Sequence, residues 1–258
     1  MTTVAATPST DPTTRIDSAI RPIPFVRLTR VELRKMIDTR AGRALLAVTA
    51  AAAVAMIVGT LIWSTGPHGL ADLLGATVLP LSVLVPTIGI MGATAEWSQR
   101  TGLVTFALEP RRGRVVAAKL VAAVLLSLGV FAVALLGAVT ATLVAGAAWD
   151  LTLPVLGGTV LVVLVFVLLG VAFGFAFLNT PVAIVASLVL PTIWTIVAGL
   201  VPSAMETIGW LNINLTTMPL ISGEMTGSDW AKLGTSVLVW VGLPLAIGTR
   251  RVLTREVK

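Results

Sequence analysis

Long uncharged stretches alternate with short charged ones along this chain. No acid, lysine or arginine occurs from Ala44 to Ala71, from Leu73 to Ala95, from Leu120 to Trp149, or from Leu151 to Met205. A hydrocarbon core of ~30 Å takes about 20 apolar helical residues. Each of the first three runs therefore holds one span and the fourth holds two, and a further apolar stretch follows near the end. The pattern predicts spans at about 44–63, 73–94, 116–147, 153–178, 182–201 and 233–249. The third would extend ~48 Å at 1.5 Å per residue, so it tilts or projects beyond the bilayer. Asn179-Thr180-Pro181 separates the fourth span from the fifth, because a residue before proline avoids helical geometry. The segment 202–232, with Pro202, Trp210, Asn212, Asn214, Pro219 and Gly223, is expected to fold back over or into the outer bilayer surface, and Ser228 to cap the last helix.

The N-terminal region has a different pattern. Residues 1–23 are rich in Thr, Pro and Ala and lack a periodic apolar face, which predicts a disordered tail. Residues 24–42 read as an amphipathic helix. Phe25, Val26, Leu33, Met36 and Ile37 share one face at 100° per residue, and Arg27, Arg30, Arg34 and Asp38 lie opposite. A basic amphipathic helix beside a first span lies in the membrane interface.

Composition agrees with this reading. Of 258 residues, 56% are hydrophobic and only 12% charged, with mean hydropathy +0.98, whereas soluble domains carry about 25% charged residues. The fold class is an all-α polytopic membrane protein, with six transmembrane helices and an N-terminal interfacial helix. There is no cysteine, which excludes disulfides, thiolate metal sites and thiol nucleophiles. The single histidine, His68, lies in a Gly-Pro-His-Gly turn and reads as a solvated polar residue.

The net charge of +6 would suggest nucleic acid in a soluble protein, but here its distribution gives an orientation. Eight lysines or arginines precede the first span, five lie between the second and third spans or in the first turn of the third, and four follow the sixth. Only Lys232 falls in an alternate loop. The positive-inside bias then makes both termini cytoplasmic, including the tail 250–258. Trp63, Trp149, Trp210 and Trp230 fall at outer span ends and Trp97 at the inner one, where amphipathic rings prefer the interface.

The loop 95–115, with the start of the next span, concentrates chemistry. Glu96 closes the second span, and Thr101-Gly102 offers a cap and a turn. Leu103, Val104, Phe106 and Leu108 form an apolar stretch that Pro110 stops, and Arg111, Arg112, Arg114 and Lys119 follow. A short amphipathic helix between two spans can act as a lever, its apolar residues seated in a partner and its charges fixing orientation. Leu103, Val104, Phe106 and Leu108 are the expected docking residues. Glu96 is expected to pair with Arg100 one turn later, at ~0.3–0.5 kcal/mol.

The pattern of Glu96, Thr101, Gly102, Leu108, Pro110, Arg111, Arg112, Arg114 and Lys119 resembles the cytoplasmic loop of ABC-2-type exporter permeases, although that family more often reads Gly-Thr where this chain has Thr101-Gly102. The likeness extends to the interfacial helix, the six spans and the long outer segment. It implies a permease half that pairs with a second copy or a homologous permease. It also implies cytoplasmic ATPase subunits, which bind the ATP and Mg, with 95–115 as the coupling loop. Dimer contacts in that family come largely from the first and fifth spans, which draws attention to Pro191 and Trp194.

The chain itself holds no GxxxxGK[ST] and thus no nucleotide site by that route, no cofactor site and no catalytic or metal constellation. Its spans are read as free of internal ionisable residues, which disfavours a proton relay or ion path, and a largely apolar surface suits a drug, lipid or similar substrate. Gly170 and Gly174, four residues apart in the fourth span, permit close helix approach, within the chain or at a dimer seam. The expected function is an exporter permease in a bacterial plasma membrane, contacting lipid and no nucleic acid; the Ala-, Val- and Arg-rich composition suits a GC-rich bacterium. The alternatives are a non-transporting scaffold that recruits a cytoplasmic partner, and a membrane-embedded enzyme, which the missing catalytic groups disfavour.

Overall fold

The computed structural model describes residues 23–64, 66–200 and 205–254. The expected N-terminal tail apart from Ile23, the end of the fifth span at Val201 and the last four residues of the chain lie outside the described residues. The described chain is helical throughout: α1 (Phe25–Asp38), α2 (Arg40–Trp63), α3 (Leu70–Ala76), α4 (Val78–Ser98), α5 (Gly102–Leu108), α6 (Arg112–Ala145), α7 (Leu153–Phe177), α8 (Thr180–Leu200), α9 (Met205–Gly209), α10 (Ile213–Ser222), α11 (Gly227–Val237) and α12 (Leu243–Thr254). Six helical stretches among them are long and apolar enough to cross a membrane: α2, α4, α6, α7, α8 and the α11–α12 pair. The molecule is an all-α polytopic membrane protein.

Local chemistry sets the breaks. Pro80 has no amide proton to donate to the carbonyl of Ala76, so the expected second span divides into α3 and α4 at Thr77. The fourth span stops at Leu178, whose φ of 52° is left-handed, and Asn179 Oδ1 accepts from Val182 N at 3.1 Å to start α8. The cap of α11 is Thr226 rather than Ser228. The Asp229 carboxylate accepts from Thr226 N and Oγ1, a capping box set by an acid three residues on. Between α11 and α12 one π-turn, Leu238–Gly242, precedes Pro244, which cannot close an ordinary i→i−4 bond.

α7 is the central helix, packed against α4, α12, α10, α6 and α8. Apolar burial has little value against lipid tails as apolar as leucine, so close packing between helices must hold the bundle. Gly170 and Gly174 provide that approach inside the chain. A Cβ on Gly170 would collide with the backbone of Pro86 in α4, and one on Gly174 would lie 2.7 Å from the Cβ of Ala93.

At the end remote from the basic residues, Ala148 N donates to His68 O and Leu70 N to Ala148 O, both at 2.9 Å, and Ala71 N donates to Asp150 Oδ1 at 2.9 Å. The segment between α8 and α11 turns back into the bundle. Ile213 is buried with Val165 and Leu169 midway along α7, while Leu220 packs against Val162 nearer the α7 N-terminus. Asn212 starts α10 by accepting from Asn214 N and Leu215 N and bonds Thr195 of α8. Trp240 Nε1, on the π-turn, donates to Leu211 O at 2.6 Å.

Candidate functional site: the basic end of the bundle

The basic end is built from α1, the C-terminus of α4, α5, the first turns of α6 and the end of α12. Met36 of α1 seats on Gly92 of α4, where any side chain would push it away. Leu28 of α1 packs with Val115 and Ala118 of α6. These two contacts draw three helices together around a cluster of four charged side chains.

In that cluster Lys119 Nζ donates to Glu32 Oε2 at 2.6 Å and to Gly92 O at 2.8 Å. It also lies 2.9 Å from Glu96 Oε2, an ion-pair contact that lacks hydrogen-bond geometry, so charge proximity alone serves that oxygen. Lys35 Nζ donates to Glu32 Oε1 at 2.7 Å and to Glu96 Oε1 at 3.1 Å. Two carboxylates thus alternate with two ammonium groups in a neutral set. The Glu32, Glu96 and Lys119 side chains are 1–2% exposed, whereas Lys35 is 37% exposed. Counted from Ala145, Lys119 stands ~39 Å along α6 at 1.5 Å per residue, beyond a ~30 Å hydrocarbon core.

Burial works against the Lys35 ammonium, but the bonds and charges of Glu32 and Glu96 outweigh it and hold its pKa above the ordinary 10.5. The stabilisation that Lys35 draws from its charge is therefore complete below the unfolded-state value and fades only as pH rises through the higher folded-state value.

This arrangement corrects several expectations. Glu96 pairs with Lys35 and Lys119, not with Arg100. Arg100 has φ 56°, beyond the last turn of α4, so no i,i+4 helical geometry joins it to Glu96. Its left-handed backbone costs about 1 kcal/mol in an L-residue. Arg100→Gly is accordingly expected to raise stability by about that amount, as a higher midpoint of thermal unfolding in detergent. Lys119 lies in the early turns of α6 and Glu96 near the end of α4, the helix ends where the third span is expected to begin and the second to close. On α1 the buried residues are Leu28, Thr29, Glu32 and Met36. Of the expected apolar face, only Met36 is buried. Leu33 and Ile37 are half-buried, Phe25 and Val26 are exposed, and Arg30 and Arg34 are exposed as expected of a polar face.

The loop helix forms as expected, over Gly102–Leu108, and its side chains divide. Leu103, Val104 and Leu108 are exposed, at 60%, 62% and 69%. Phe106 instead turns inward, its ring 6.2 Å from that of Trp97 with the Arg112 guanidinium 4.8 Å above it. It is a packing residue, and no docking energy is assigned to it. Arg114 donates to Glu109 Oε2 at 2.9 Å and to Ile23 O at 2.6 Å, and Arg112 donates to Val252 O at 3.0 Å. These bonds tie the turn between α5 and α6 to both the start of α1 and the end of α12. Thr101, Pro110, Arg100 and Arg111 stay exposed around the apolar patch, and Gly102 is buried beneath it.

A groove of about 640 Å³ runs between α1, α4 and α5, with Val104 and Leu108 along one side and Glu32, Lys35 and Glu96 in its lining. Among the described residues no group of three or more His, Cys, Asp or Glu side chains could hold a metal ion. The parts of the site that sequence reasoning missed are Glu32 and Lys35. The position of Glu32 on the Leu28–Met36 side of α1, amid arginines on the other side, was the available signal. No protein-family model matches the chain, and no protein of curated function matches it.

Proposed function

We propose that this chain is the permease subunit of an ABC exporter, moving a hydrophobic or amphipathic substrate with energy from a separate ATPase that docks on the basic, cytoplasmic end. The observation that carries the reading is α5. It presents three exposed apolar side chains, and its flanks are tied by charged hydrogen bonds to α1, α6 and α12. A helix held in this way passes a push from a docked partner into α4 and α6 as a rigid displacement. The neutral cluster of Glu32, Lys35, Glu96 and Lys119 then serves as the fixed joint between α1, α4 and α6. The resemblance of the loop to ABC-2-type permeases supports the same reading.

The test is ATP hydrolysis by an ATPase that co-purifies with the chain, measured in liposomes. The double variant Leu103→Asp/Leu108→Asp is expected to weaken the complex at least ten-fold, because truncating a buried interface anchor costs ~1–2 kcal/mol or more, and to abolish stimulated hydrolysis. Thermal stability of the chain should stay within ~0.5 kcal/mol of the parent, as for other exposed positions. An unchanged complex with undiminished stimulation would overturn the assignment. A complex that forms but whose hydrolysis never responds to any amphipathic compound would favour the scaffold.

A further inference from the structure

Away from α5, a second groove of about 420 Å³ opens between α2 and α6, closed toward the basic end by Leu33 and Ile37 of α1. It follows α2 from Leu46 to Ile57, a rise of ~16 Å at 1.5 Å per residue. That matches half of a ~30 Å hydrocarbon core, the depth of one leaflet. Its lining is apolar but for Thr49, whose hydroxyl is already spent on Leu45 O at 2.7 Å. Small residues hollow it out. A Cβ on Gly129 would meet no atom within 4 Å, and one on Gly137 would meet only the Ile57 side chain, at 3.6 Å.

The end of the groove is marked by charge. Arg43 lies one and two turns before Leu46 and Ala50 on the same side of α2. Arg30 and Arg34 stand one turn before Leu33 and Ile37 on α1, at the border where its polar face meets the apolar one. All three guanidinium groups are exposed, and no acidic partner is found for any of them among the described residues. The planar guanidinium of arginine meets two oxygens of a phosphate at once and is only weakly hydrated, so it is well suited to hold one.

We propose that this groove binds one acyl chain of an anionic phospholipid, with the lipid phosphate held by Arg30, Arg34 and Arg43. The proposal does not rest on the transport reading, and a second permease packed along α2 would compete with the lipid for this groove. Lipid tails fill an apolar groove without net gain over the surrounding bilayer, so selectivity comes from the headgroup. Each basic residue near a net-anionic headgroup contributes roughly five-fold in affinity, so three together contribute on the order of a hundred-fold, most of which is lost for a zwitterionic lipid whose choline cation offsets the same phosphate.

The test is native mass spectrometry of the detergent-solubilised full chain, titrated with phosphatidylglycerol or phosphatidylcholine. Phosphatidylglycerol should be retained more than ten-fold better. Arg30→Gln/Arg34→Gln/Arg43→Gln should erase that preference. Gly129→Leu, whose Cβ would meet no atom within 4 Å, should lower phosphatidylglycerol retention about ten-fold while the melting midpoint holds. Equal retention of the two lipids by the parent would overturn the proposal, as would a Gly129→Leu variant that melts normally and binds as before. A Gly129→Cys chain, in which this is the sole cysteine, would also overturn it by forming a disulfide dimer in the membrane that phosphatidylglycerol fails to suppress, since a second copy would then occupy the groove.

Discussion

Lys119→Met is expected to destabilise the bundle by ~3–5 kcal/mol, the cost of breaking a buried ion pair by removing one partner. The lysine is 2% exposed and serves Glu32, Glu96 and Gly92 O at once. Without it, two carboxylates 1% exposed are left with Lys35 alone, which reaches only one oxygen of each. Chemical unfolding in a fixed micelle measures the loss. The triple variant Lys119→Met/Glu32→Gln/Glu96→Gln should recover most of it, because a buried charge set replaced by neutral groups of similar volume is close to neutral in stability. Lys35→Met should cost ~1 kcal/mol or less, since that side chain is partly exposed and screened. A Lys119→Met chain within ~1 kcal/mol of the parent would show that the four groups do not form a buried cluster.

The second large effect is steric. Gly170→Leu places a side chain where the backbone of Pro86 already lies, so α7 and α4 must separate. Overpacking costs ~1–3 kcal/mol where side chains can yield. Here the obstacle is main chain, at the most closely packed contact of the central helix, and we expect a loss at the top of that range or misassembly. Loss of the monodisperse peak in size-exclusion chromatography, with a melting midpoint several degrees lower, is the result to look for. Gly129→Leu in α6 is the control, where an added Cβ meets no atom within 4 Å. Equal behaviour of the two variants would contradict the α4–α7 packing.

Much of the fold was legible because spans are encoded by what is missing from them. Charge-free runs of the right length fall on the six span-length helices, with ends differing by up to six residues, and Asn179 with Pro181 marked the short turn between α7 and α8. Proline also divides α3 from α4, although the run of apolar residues concealed it. The basic end was harder to read. Glu32 and Lys119 are 87 positions apart, and a charged residue near a basic loop looks solvated until packing shows otherwise. Phe106 and Leu108 belong to the same apolar run, and only the nearness of Trp97 and Arg112 turns one inward and leaves the other out. The re-entry of α10 beside Val165 depends on Asn212 meeting Thr195, a pairing with no periodic signature.

The bonds from Arg112 to Val252 and from Arg114 to Ile23 bear on how the molecule can be labelled. A fluorescent reporter fused beyond Thr254 would emerge beside α5 and compete with anything settling there, and one joined just ahead of Ile23 would do the same. Probes meant to watch the working molecule are better carried by the turn around Gly66 and Pro67, at the far pole, where a bulky cargo leaves that surface clear.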